Sequence, residues 1–69
     1  MELYQLKMIE EYKDLLQRTD ELNLFVLHNP KFDKLDKKER ALQVQQLTGM
    51  RVYLTALMDR LDHQNIKIE

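Results

Sequence analysis

No cysteine, serine or tryptophan occurs in these 69 residues, and glycine and proline appear once each, as Gly49 and Pro30. Without cysteine there is no disulfide, thiol nucleophile or thiolate metal site, and without serine no serine nucleophile. One glycine cannot build a phosphate-cradling loop. A chain this poor in turn residues cannot make the many reversals of a sheet protein, so its 43% hydrophobic content points to helix. Nowhere is there a run of the ~20 apolar residues that crosses a bilayer. The opening MELYQLKMIEEYK lacks the basic-then-apolar layout of a signal peptide. The expectation is a soluble, cytoplasmic protein with no contact with membrane.

Charge of one sign is also lacking. Eleven basic residues face twelve acidic ones, for a net charge of −1, which argues against a binder of duplex nucleic acid. The local balance shifts toward positive between positions 29 and 40, where Lys31, Lys34, Lys37, Lys38 and Arg40 face Asp33, Asp36 and Glu39. A solvated connector accounts for such a mixture.

The remaining pattern is helical. Tyr4, Met8, Tyr12, Leu15, Leu22 and Val26, with Thr19 among them, share one face of a first helix over about 2–27. Lys7/Glu11 and Asp14/Arg18 support it at i,i+4. The run Leu24 to Leu27 is apolar all round, so the end of this helix needs cover. His28-Asn29-Pro30 stops the helix, because the residue before proline is driven out of the α region. A connector over 28–35 carries Phe32 and Leu35, which plug the end of a hairpin. Asp36 and Glu39 form a D-x-x-E variant of the capping box and open a second helix over about 36–63. Positions 64–69 read as a frayed tail with an Ile66/Ile68 alternation. So short a link between long helices predicts an all-α antiparallel hairpin as one domain.

The second helix carries more apolar surface than one partner can cover. Leu42, Leu47, Met50, Tyr53, Leu54, Leu57, Met58 and Leu61, bordered by Val44, Gly49 and Ala56, fill an arc of roughly 240° at ~100° per residue. A core-facing stripe needs little more than ~100°. A chain of this size has a marginal core on its own, and other subunits are the remaining source of cover. A homo-oligomeric helical bundle is therefore expected.

Catalytic chemistry is nearly absent. His28 and His63 stand at the C-terminal ends of different helices, where the helix dipole favours them, and an antiparallel hairpin keeps them apart. Asp59, Asp62 and His63 cluster along one helix but have no second group of ligands, so a solvated face is expected, with no metal and no cofactor. Recognition chemistry is better represented. Arg51, between Met58 and Val44, and Arg60, between Leu42 and Tyr53, lie against apolar neighbours. A buried guanidinium needs an anion, either a first-helix acid such as Glu11 or Asp14 or a phosphate held bidentately. Arg18 has the same two options. Tyr4, Tyr12 and Tyr53 are either core residues with wet hydroxyls or platforms on which bases stack beside the arginines. Gln43 and Gln46 would add hydrogen bonds in either case.

Two spaced patterns carry a family resemblance. Gln46-Leu47, Met50, Tyr53, Leu57 and Arg60-Leu61 follow QL-x-x-M-x-x-Y-x-x-x-L-x-x-R-[IL], and Leu15, Arg18, Leu22 and Phe25-Val26 follow L-x-x-R-x-x-x-L-x-x-F-[IV]. With Phe32 and the Glu39-Arg40 helix start, the chain from about Tyr12 to Leu61 resembles the small phage anti-defence sponges directed against CBASS and Thoeris signalling. The resemblance implies a helical hairpin assembled as a hexamer, with pockets between subunits that hold cyclic nucleotide messengers without catalysis.

The sequence thus leads to a cytoplasmic homo-oligomer, non-enzymatic, that sequesters a cyclic di- or trinucleotide. Tyr4, Tyr12, Arg18, Arg51, Tyr53 and Arg60 are the candidate ligand-binding residues, chosen for position and chemistry. Two rivals remain. One is a structural or regulatory protein-interaction module, whose arginines form ordinary ion pairs. The other is a small helical enzyme of the chorismate-mutase kind, which would need an acid–base group that is not evident. Helical sporulation phosphatases depend on a serine-containing motif missing here.

Overall fold

Three capped starts divide the chain. The computed structural model describes residues 1–68 and contains α1 (Leu3–His28), α2 (Pro30–Asp33) and α3 (Lys37–His63), with no strand among the described residues. At the start of α1 the Glu2 amide donates to Gln5 Oε1 at 2.9 Å, satisfying a backbone donor that the helix cannot. At the start of α3 the Glu39 amide donates to Asp36 Oδ1 at 2.7 Å. The expected return arm of that box is replaced: Glu39 Oε1 instead accepts from Gln43 Nε2 at 3.3 Å, one turn further along.

The connector is more ordered than a loop. Asn29 ends α1 and at once caps the next turn, its Oδ1 accepting from the Lys31 amide at 2.9 Å with Pro30 in the first helical position. Proline is well placed there because its missing N–H has no partner to lose. The short α2 brings Phe32 edge-on to Phe25, with ring centroids 6.1 Å apart and planes at 88°. This aromatic pair covers part of the end of α1, while Leu24 and Leu27 stay exposed.

α1 and α3 run antiparallel and form an elongated hairpin of 46 × 17 × 15 Å. Near its open end Gln5 Nε2 donates to Gln64 Oε1 at 3.1 Å, and further along α1 Asn23 meets Arg51. The core is a row of large side chains between the two helices: Met8 and Leu15 from α1, Leu57 and Leu61 from α3, with Leu47 buried further toward the connector. Leu57 and Leu61 are only 1% and 2% exposed. Each such burial contributes about 1.5–3 kcal/mol. Thr19 is also buried, and its hydroxyl is satisfied by donating to the Leu15 carbonyl at 2.6 Å.

The segment after α3 is packed down, where fraying was expected from sequence. Asn65 adopts φ 58°, a left-handed conformation that asparagine tolerates. The Asn65 amide donates to the Asp62 carbonyl at 3.0 Å and the Ile66 amide to the Leu61 carbonyl at 2.9 Å. These two bonds make a Schellman motif, which turns the chain back on the helix. Ile66 and Ile68 then pack against the Met8, Leu15, Leu57 and Leu61 cluster. Position 69 lies outside the described residues.

Candidate ligand-binding surface

α3 shows how few of its apolar side chains one partner helix covers. Leu47, Leu57 and Leu61 are buried and Met50 and Leu54 half-buried, whereas Leu42, Val44, Tyr53 and Met58 remain exposed, as does Val52 at 68% on the outermost side. The surplus lies on both sides of the core row.

Helical spacing separates the candidate residues into two groups. Arg51 and Arg60 are nine positions apart, which is about half a turn around the axis, so they project from opposite flanks of α3. Tyr53 stands seven positions before Arg60 and shares its side; Met58 stands seven after Arg51 and shares the other. On α1, Tyr12 and Asn23 share the Arg51 flank, while Arg18 and Tyr4 point toward the Tyr53 flank. One hairpin thus places Tyr12 and Arg51 on one side and Tyr4, Arg18, Tyr53 and Arg60 on the other. The buried row of Leu47, Leu57 and Leu61 divides the broad apolar arc of α3 into two exposed surfaces.

On the first flank, Tyr12 is half-buried in a shallow groove with Met58, Asp59, Asp62 and the returning Ile66 and Ile68. Arg51 lies about 10 Å further toward the connector, seven residues from Met58 at ~1.5 Å each. Its Nη2 donates to Asn23 Oδ1. On the second flank, Arg18 Nη2 pairs with Asp14 Oδ2 at 3.1 Å in an exposed i,i+4 ion pair, a kind contributing about 0.3–0.5 kcal/mol. Tyr53 is 45% exposed, and Tyr4 and Arg60 are exposed as well. Tyr4 sits in the first turn of α1, where its neighbour Gln5 already meets Gln64 beyond the last residue of α3.

These positions correct the expected ion pairing. Arg51 and Arg60 are exposed, so neither is a buried charge needing a carboxylate. Asp14 is taken by Arg18, Arg51 meets the neutral Asn23, and among the described residues Arg18–Asp14 is the only ion pair. Asn23 is not marked by any charge pattern in the sequence, because it carries no charge. Its signal was its place four residues after the buried Thr19, a polar side chain at the edge of an apolar face.

Another concavity lies at the connector end, between Phe32, Lys37, Arg40, Ala41 and Val44. Arg40 Nε in its wall, and Gln43 Oε1 on the same helix, are buried atoms without a hydrogen-bond partner among the described residues. Among the described residues no three His, Asp or Glu side chains converge as a metal site, and no helix is long and apolar enough to cross a membrane.

Against known proteins, a family model described as Sequestin matches residues 2–63, which takes in α1, the connector and α3. The chain belongs to the Sequestin family. No curated protein and no solved structure matches it. The Sequestin match spans both tyrosine- and arginine-bearing flanks, so all six candidate residues fall inside the family region. The family's name speaks of sequestration and is consistent with the anti-defence hairpins that the sequence resembles.

Proposed function

We propose that this Sequestin protein is a phage immune-evasion factor that binds the cyclic oligonucleotide messengers of bacterial anti-phage signalling and withholds them from their effectors in the host cytoplasm. No bond is made or broken. Tyrosines stack on the bases, arginines neutralise phosphates, and the pockets form where hairpins meet in a homo-oligomer, a hexamer by the resemblance described above. Neither a membrane nor duplex nucleic acid is a partner, and no cofactor or metal is required.

The reading rests chiefly on exposed apolar surface of α3 bordered by Arg51 and Arg60, which form no ion pair among the described residues. A seven-residue repeat on the second flank supports contact between copies there. Leu42, Gly49 and Ala56 recur every seven residues, and Gln46, Tyr53 and Arg60 form a parallel row with the same period. Such a repeat is what lets one helix pack along another over several turns. Gly49 has an ordinary negative φ, and a Cβ built there meets nothing within 4 Å in the hairpin. A mid-helix glycine sacrifices about 1 kcal/mol relative to alanine, and close approach of a second backbone supplies a reason for it.

Titration calorimetry against a panel of cyclic di- and trinucleotides tests the proposal. Saturable heat, with the nucleotide recovered intact, is the expected result. The same exposed Leu42, Val44, Val52 and Met58 favour a second reading, a module that docks a protein partner. Silence across the panel from a folded oligomer, together with stoichiometric capture of a host protein, would replace the first reading by the second.

A further inference from the structure

The contact between Arg51 and Asn23 has an unusual charge pattern. α1 carries six acids in and around it, Glu2, Glu10, Glu11, Asp14, Asp20 and Glu21, yet the group that meets Arg51 is an uncharged amide. Asp20, three residues before Asn23, makes no ion pair with Arg51. Asn23 Oδ1 takes one donor from Nη2, and a guanidinium has five. The rest of the planar fork stays open to a bidentate oxyanion.

We propose that Asn23 is a positioning residue for Arg51, fixing the guanidinium on the hairpin flank through a neutral acceptor so that its whole charge remains for a phosphate of the sequestered ligand. This rests on the nucleotide-sponge reading and adds to it which arginine is prearranged and by what. A carboxylate at position 23 would hold Arg51 as firmly but would neutralise it, and a ligand phosphate would then compete with that carboxylate. An apolar side chain there would leave the charge intact but let the long arm wander, at a cost in side-chain ordering on binding. Asn23 avoids both. Asn23 is half-buried against the hairpin, while Arg51 is exposed, so the more enclosed side chain holds the more open one.

The test compares full-length wild type, Asn23→Asp, Asn23→Ala, Asn23→Gln, Arg51→Gln and the Asn23→Asp/Arg51→Gln double variant. Each is melted, sized, and titrated with cyclic di-AMP and cyclic tri-AMP. Asn23→Asp should melt at or above the wild-type temperature yet bind the accepted probe at least tenfold more weakly. Asn23→Ala should lose several-fold, and Asn23→Gln, which keeps a neutral acceptor, should recover most of that. In the Arg51→Gln background the Asn23→Asp change should cost little further, because the charge it cancels is already gone. A merely structural asparagine would instead impose the same loss in both backgrounds, and that result overturns the proposal. Wild-type affinity in Asn23→Asp overturns it too. If Arg51→Gln binds as tightly as wild type, the proposal falls while the sponge reading stands on the other flank; if wild type binds neither probe nor any other cyclic nucleotide of a wider panel, both fall together.

Discussion

Arg51 and Arg60 project from opposite sides of α3, nine residues and about half a turn apart, so one hairpin cannot close both around one small ligand from the same face. A pocket that uses both arginines therefore draws them from different subunits. Arg51→Gln and Arg60→Gln remove exposed side chains and should each change stability by no more than about 0.5 kcal/mol. Each should weaken nucleotide binding by about tenfold or more, the cost of a lost charge-assisted hydrogen bond of ~1.5–3 kcal/mol. Mixing the two variants tests the division between chains: oligomers assembled from both should regain part of the wild-type sites, measured as binding stoichiometry by calorimetry.

Gly49→Ala separates the hairpin from the assembly. Within one chain the added methyl meets nothing within 4 Å and helix propensity improves by about 1 kcal/mol. If the Leu42–Gly49–Ala56 row packs against a neighbouring helix, the methyl holds the backbones apart instead. Sedimentation should then show a loosened oligomer with helical content unchanged. A higher melting temperature at unchanged mass would place Gly49 outside the subunit contact.

Much of this architecture is legible from residue types alone. The 3.6-residue recurrence of Met8, Leu15, Leu57 and Leu61 marks both buried faces, and Asp36 marks the start of α3, because burial and backbone satisfaction act locally. Asn29-Pro30 signals a stop and equally a new start, and only the cap bond to Lys31 shows that it is both. The packed tail is not legible from Ile66 and Ile68, which lack helical spacing; the informative residue is Asn65, which permits the left-handed turn that returns Ile66 to Leu61. Whether the arginines share a surface is not legible from apolar arc width, which says how much is covered and not which side each polar neighbour faces. Their partners depended on a neutral asparagine, which no charge pattern points to.

The tail can be tested on its own terms. Asn65→Val should destabilise by about 1–2 kcal/mol, since a β-branched residue resists a positive φ, whereas Asn65→Gly should be neutral or slightly stabilising. Ile66→Ala, at a half-buried site, should cost about 1–2 kcal/mol, below the range for a fully buried isoleucine. Urea denaturation reads all three. A tail that contributed nothing would leave all three midpoints together.

Leu57→Ala addresses the core. At 1% exposure, with Met8, Leu15 and Leu61 in the same cluster, its truncation should cost about 2–5 kcal/mol. For so small a domain that is enough to unfold the chain or to make folding depend on assembly. Circular dichroism across a range of protein concentrations distinguishes these outcomes, since only the second depends on concentration.

Native mass spectrometry of the wild-type protein, incubated with a mixture of cyclic di- and trinucleotides, tests sequestration most directly because it weighs protein and ligand in one particle. The predicted spectrum is a discrete homo-oligomer carrying a fixed number of nucleotides of unaltered mass. A monomer, or an oligomer that emerges without nucleotide at saturating concentrations, would contradict it.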